Sequence, residues 1–344
     1  MSQITDPTLY GKRRNRLRGK KNTNKTSNNG TVIILSLIAV VIAIVLLIII
    51  GFKKSLPPLS ELSDSNSFPF SNNESDTHES KKLQGTHTIN FSNGKYTGEF
   101  KDGLRHGNGV FNYTNGDVYE GGFEYDQRSG NGKLTYADGG TLEGSFKNDK
   151  PDGICRTSFT NGDSYNGNYR NGFMSGNGIY TYKNGTVYEG EFTQGRVEGT
   201  GKITYTNGDV YEGSVVDGLC QGDGKLTYAN GDNYVGSFVN NKLEGYGVYS
   251  YSDGSIYRGN YIAGVQTDTE CYLKSKQSDG SYVVYEGSIV NGVFSGTGKL
   301  SYENGDWVKG NFISGKLNGK AEYYQKIYDS VRTGEYVNGV LIIK

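Results

Sequence analysis

The residue types that most often carry chemistry are scarce in this chain and too widely spaced to act together. Its three cysteines are Cys155, Cys220 and Cys271, and its three histidines are His78, His87 and His106. Thiols that hold a structural metal recur at C-x-x-C spacing, and zinc proteases place two histidines one helical turn apart in H-E-x-x-H. Neither pattern occurs, and nothing corresponds to a P-loop or to a Ser/His/Asp relay. Two features are abundant instead. One is aspartate directly after Asn-Gly, as at Asp117, Asp163 and Asp209; the other is paired glycine, as at Gly199 and Gly201. A ladder of aspartates has the charge to hold calcium. Asn-Gly-Asp is also ordinary turn chemistry, in which the side chains bond nearby backbone, and this is the simpler reading. G-x-G cradles a dinucleotide phosphate only where a strand hands over to a helix, and no helical period follows these pairs. The expectation is therefore of no catalytic, cofactor-binding or metal-binding residue, and of a protein that is not an enzyme.

The glycines mark a period of 23 residues from 96 to 318. Tyrosine opens eight of ten units, at Tyr96, Tyr119, Tyr165, Tyr188, Tyr211, Tyr234, Tyr257 and Tyr285, while Leu142 and Val308 open the other two. Glycine follows two residues later each time, at Gly98, Gly121, Gly144, Gly167, Gly190, Gly213, Gly236, Gly259, Gly287 and Gly310. A fixed period in this range signals an array of small units, each burying its face only against its neighbours. Composition agrees: 52 glycines and 28 tyrosines with 5 prolines exclude collagen and argue against disorder.

One unit, 188–210, shows how the period folds; its tyrosine is position 1. Tyr188, Gly190 and Phe192 at positions 1, 3 and 5 alternate as a strand does, and Gly199, Gly201, Ile203 and Tyr205 at positions 12, 14, 16 and 18 form a second. Asn-Gly or Asp-Gly near positions 7–8, as at Asn171-Gly172, supplies a two-residue hairpin loop. A second Asn-Gly near positions 20–21, as at Asn207-Gly208, leads into the next tyrosine. A two-residue loop pairs position 5 with 10, 3 with 12 and 1 with 14. With an odd second loop, every signature residue then lies on one face. Glutamate at position 2 and lysine at position 15 lie on the other, and each ring covers a neighbouring strand's glycine.

The pattern Tyr-x-Gly-x-Phe-x-x-Gly-x-x-x-Gly-x-Gly-x-x-x-Tyr-x-x-Gly resembles the MORN repeat (membrane occupation and recognition nexus). It covers about ten units, with a degenerate half unit at 85–95 and irregular strands at 320–344. The resemblance implies an all-β, elongated array of antiparallel hairpins. Proteins of this kind act mostly as scaffolds or as dimerisation and tethering modules near membranes, so protein partners and a homodimer are expectations it carries.

Outside the array, residues 32–50 contain one polar side chain, Ser36, a run just long enough to span a bilayer. The segment 31–51 is read as an uncleaved transmembrane helix. Eight basic residues precede it and two follow closely, which places the N-terminus in the cytoplasm and the array outside the cell membrane. Residues 1–30 are then a basic cytoplasmic tail, 52–85 a flexible linker and 86–344 the array with its cap at 320–344. After residue 82 the chain holds 24 basic against 30 acidic residues, a poor balance for binding nucleic acid. The reading is a single-pass, membrane-anchored, non-catalytic interaction scaffold. A glycan- or lipid-binding surface module is the alternative, and an array facing the cytosol is a lesser one. Two departures from the period, five extra residues within 257–284 and the C-terminal strands, are read as a longer hairpin and a capping strand, with a binding place as the alternative at each. The cysteines fall in separate units, too far apart for a bridge. Cys155 stands in place of a strand glycine, and Cys220, near a turn, is expected to be accessible.

Overall fold

A computed structural model describes residues 83–342, and every described strand is antiparallel to its partners. The chain divides into two compact units at Cys220/Gln221. The first contains β1 Gly85–Phe91, β2 Gly94–Lys101, β3 Leu104–Tyr113, β4 Val118–Glu124, β5 Gln127–Thr135 and β6 Thr141–Lys147. It continues through β7 Lys150–Ser158, β8 Ser164–Arg170, β9 Phe173–Thr181, β10 Val187–Thr193, β11 Arg196–Thr204 and β12 Val210–Val216. The second unit starts within β13 Leu219–Thr227. It holds β14 Asn233–Val239, β15 Lys242–Ser250, β16 Ile256–Ile262, β17 Val265–Gln266, β18 Asp268–Lys276 and β19 Tyr282–Val290. It ends with β20 Val293–Tyr302, β21 Trp307–Ile313, β22 Lys316–Gln325, a 3-10 turn Lys326–Tyr328, β23 Ser330–Val337 and β24 Val340–Ile342. Among the described residues no helix is long and apolar enough to cross a membrane. The segment read as an anchor, 31–51, lies outside them, as do the basic tail and all but the end of the linker.

Two turn types alternate. At positions 7–8 both residues have positive φ, as at Asn171 (52°) and Gly172 (93°), the signature of a two-residue type I′ hairpin. The geometry persists where no glycine favours it: Tyr125 and Asp126 stand at 50° and 67°. Within each unit, successive tips are tied together. The Gly195 N–H donates to Met174 O at 2.9 Å, and Gly264 N–H to Leu243 O at 2.8 Å. The second turn is a five-residue loop of odd length, closed by Tyr205 N–H to Asp209 O at 2.9 Å and Gly208 N–H to Tyr205 O at 3.0 Å.

The register departs from expectation at one point in the repeating hairpins, as in β10–β11. Phe192 pairs with Val197, position 5 with 10. Beyond them, however, Gly190 pairs with Gly201 and Tyr188 with Ile203, positions 3 with 14 and 1 with 16. Two extra residues on β11 are absorbed in a bulge opposite Glu191. Gly199, at position 12, sits in that bulge with φ +116°, a conformation that other residues adopt only with strain. An insertion of two residues preserves the alternation of side chains, so the assignment of faces is unaffected.

Candidate functional site

Pairing of positions 3 and 14 continues from hairpin to hairpin. Gly167 faces Gly178, Gly178 faces Gly190, Gly190 faces Gly201 and Gly201 faces Gly213. In the second unit Gly236 faces Gly247, Gly247 faces Gly259 and Gly298 faces both Gly287 and Gly310. The result in each unit is a furrow of bare backbone crossing the strands. Position-1 tyrosines lie in it. A Cβ added at Gly201 would stand 2.6 Å from the Tyr188 hydroxyl oxygen, and one at Gly298 would stand 2.5 Å from that of Tyr285. Gly98, Gly121, Gly167, Gly236 and Gly259 are crowded in the same way by Tyr96, Tyr119, Tyr165, Tyr234 and Tyr257. All eight tyrosines are at most 1% exposed.

Each ring is held at both ends. Where position 5 carries a ring, edge-to-face contacts reach it from the tyrosine of the same repeat or of the one before: Tyr119 lies 5.2 Å from Phe123 and 5.0 Å from Phe146; Val215 and Ile289 take that position elsewhere. The hydroxyl donates to the carbonyl three residues ahead, beside the bulge. Distances are 3.1 Å for Tyr96 to Glu99, 3.1 Å for Tyr119 to Gly122 and 2.9 Å for Tyr165 to Asn168. The series continues at 3.0 Å for Tyr188 to Glu191, 2.8 Å for Tyr211 to Ser214 and 3.2 Å for Tyr234 to Ser237. It ends at 3.1 Å for Tyr257 to Asn260 and 2.7 Å for Tyr285 to Ser288. Tyrosine rather than phenylalanine lets the buried ring end in a hydrogen bond, worth about 0.5–1.5 kcal/mol net. Burial pushes the phenols up, to about 12 for Tyr96, Tyr188 and Tyr234.

The two units that lack the tyrosine also lack the glycine opposite. Leu142 accompanies Cys155, and Val308 accompanies Ala321. The Cys155 thiol donates to Ser145 O at 3.6 Å, the carbonyl a tyrosine hydroxyl would otherwise reach. Cys155, Cys220 and Cys271 are all reduced thiols at most 3% exposed. Cys220 thus corrects the expectation of an accessible thiol. It occupies position 10, which faces inward like Val197, and lies 3.6 Å from the Tyr205 hydroxyl. Burial pushes the three thiols up to about 11, 12 and 12.

The turn aspartates are engaged in hydrogen bonds. Asp163 accepts from its own turn's Asn161 and from the next turn's Lys183 N–H at 2.6 Å; Asp117 accepts likewise from Ala137 N–H. Among the described residues no group of three or more acidic, histidine or cysteine side chains is arranged to hold a metal. Two arginines escaped the sequence reading. Arg105 lies 5.0 Å from the Phe111 ring, and Arg128, 4% exposed, lies 5.3 Å from the Tyr119 ring. Each donates to the main-chain oxygen of the next tip's aspartate, Asp126 and Asp149. The signal was in the sequence: both aspartates stand at tip position 8, where glycine is usual, one repeat after an arginine.

The five extra residues lengthen one hairpin. Leu273, opposite Tyr257, precedes the turn-opening Gln277 by four residues, where Ile203 precedes Tyr205 by two. The closing strand β19 gains two likewise, and the fifth residue widens the bulge before Leu273, where Cys271 stands opposite Gly287.

The sequence profile of the MORN repeat matches residues 96–118, 119–141, 143–164, 165–187, 188–210, 211–233, 234–256 and 285–307. The chain belongs to the MORN-repeat family. The profile skips 257–284, where the lengthened hairpin begins. No curated protein matches the sequence. Among solved structures, the TCP10 domain of Danio rerio CPAP aligns at 16% identity over 60% of this chain and 98% of that one, with a TM-score of 0.35. The Drosophila melanogaster SAS-4 TCP domain, solved with a proline-rich motif of Ana2, aligns at 14% over 55% and 98%, with a TM-score of 0.32.

Proposed function

We propose that this chain is a membrane-anchored, non-catalytic scaffold that displays its MORN array outside the cell membrane for other proteins to bind. The observation that carries this reading is the complete use of the tyrosine ladder inside the fold. Rings at most 1% exposed, with hydroxyls bonded to backbone, have no face left to stack on a sugar, which weighs against the glycan alternative. Thiols pushed up by burial are poor nucleophiles at neutral pH. What remains outward is a repetitive polar sheet face, on which Lys202 stands between Glu189 and Glu212. Such a face suits extended protein contact. The 31–51 segment and its basic flank support anchoring with the array outside.

A photo-crosslinking residue at Lys202 of the full chain, irradiated in intact cells, tests this. A discrete protein adduct supports the scaffold; lipid or glycan adducts alone, or none, overturn it. An impermeant label at a tag after Lys344 tests orientation, since labelling only after lysis would place the array in the cytosol.

A further inference from the structure

Five type I′ tips line one edge of the second unit, at 239–242, 262–265, 290–293, 313–316 and 337–340. Their position-6 residues are Val239, Ile262, Val290, Ile313 and Val337, all β-branched and 41–58% exposed. Val293 and Val340, paired with two of them, are 42% and 49% exposed. The corresponding residues of the first five tips of the other unit are Lys101, Glu124, Lys147, Arg170 and Thr193. An apolar row is therefore not something the repeat requires. Nor is it loose, because each tip after the first is bonded to the one before, as Gly292 N–H is to Gln266 O at 2.9 Å and Gly315 N–H to Phe294 O at 2.9 Å.

Charge and spacing identify what fits this ridge. Its tips contain no acidic residue and two lysines, Lys242 and Lys316. The nearby Glu244 is held on the backbone N–H of Ala263 at 2.8 Å. A second copy of the ridge would set lysine against a row with no acid, so the occupant brings the acids. Successive tips are two strands apart, about 10 Å. An extended strand repeats one face at about 6.7 Å and falls out of step. An α-helix repeats a heptad face every ~10.5 Å and stays in step. We infer that the ridge 239–340 is a docking surface for an amphipathic helix of a partner protein, with apolar residues at heptad spacing and acidic flanks. The row covers about 40 Å, which a helix of about 26 residues spans. The inference rests on the interaction-scaffold reading and names the class of partner.

The test uses the full chain and a synthetic helical peptide of about 28 residues, with leucine at heptad spacing and glutamate flanks. Saturable binding is expected, weakening with salt, and at least about tenfold weaker for the Ile262→Ser/Val290→Ser/Ile313→Ser variant. That variant should melt as the parent does, since all three side chains are exposed. Equal binding of a scrambled or lysine-flanked peptide, or no binding, overturns the inference. So does loss, in the variant alone, of binding to phosphatidylglycerol vesicles or of self-association in sedimentation, if the peptide does not bind. If Lys202 crosslinks persist while the peptide fails to bind, the ridge proposal falls and the scaffold stands.

Discussion

The pairing of ring and glycine predicts a strong coupling in the third repeat, where both are replaced. Leu142→Tyr alone forces a ring over the Cβ of Cys155. Elsewhere a Cβ at this position would lie 2.6 Å and 2.7 Å from the hydroxyl oxygen and Cζ of Tyr188, so a cost of about 2 kcal/mol follows from overpacking. Cys155→Gly alone deletes a buried side chain, removes the thiol from Ser145 O and adds backbone freedom, for about 2–3 kcal/mol. The double variant removes the clash, fills the space with the ring and lets the new hydroxyl reach Ser145 O, as Tyr119 reaches Gly122 O. Its stability should return to within about 1 kcal/mol of the parent.

The coupling energy is then about 4 kcal/mol, close to a thousandfold in the local folding constant. Hydrogen exchange of the β6 and β7 amides in the full-length chain, across the four members of the cycle, measures it locally. This matters because an array need not unfold as one unit. Additivity within about 0.5 kcal/mol would refute the reasoning, since the two positions would then not share one space.

Three further outcomes follow from the same furrow. Gly201→Ala should cost about 3 kcal/mol in thermal or urea unfolding, because its Cβ meets Tyr188; a loss under about 0.5 kcal/mol would show that the ring moves freely. The array should unfold in alkali. Tyr96, Tyr188 and Tyr234 ionise near 10.0 when unfolded but near 12 when folded, so their contribution is complete below pH 10 and is lost as pH rises toward 12. The loss is about 1.4 kcal/mol per pH unit for each. Loss of sheet ellipticity should coincide with the rise of phenolate absorbance, and phenolate forming near pH 10 with the sheet intact would contradict it. The three buried thiols should resist maleimide at neutral pH until denaturant is added; prompt labelling of Cys220 would contradict its placement.

Face assignment, both turn types and the contact of ring with glycine were legible because they depend only on alternation and on local turn chemistry. The register inside each hairpin was not. Counting from the tip paired Gly190 with Gly199, whereas Gly190 lies opposite Gly201. The two glycines of G-x-G serve different ends: Gly199 for a positive φ, Gly201 for room beneath a ring. A glycine signal carries no mark of which reason applies, and a two-residue bulge leaves the faces unchanged, so amphipathicity could not expose the error. The same counting from a turn made Cys220 look exposed, because proximity to a tip was weighed above the inward face of position 10.

The repeat itself says little about partners, for a physical reason. Tyrosine at position 1, glycine at 3, 12 and 14 and the paired turn residues are all consumed in closing the backbone and covering it. Folding thus accounts for the recurring inward and turn positions. Information about binding is left to positions the fold does not constrain, where it shows as difference between units. Position 6 is such a place. It is exposed in every unit, charged or threonine in the first five tips, and uniformly Val or Ile from Val239 to Val337. A row of that kind has a solvation cost and no folding benefit in this chain, so its persistence over five consecutive tips calls for an external contact.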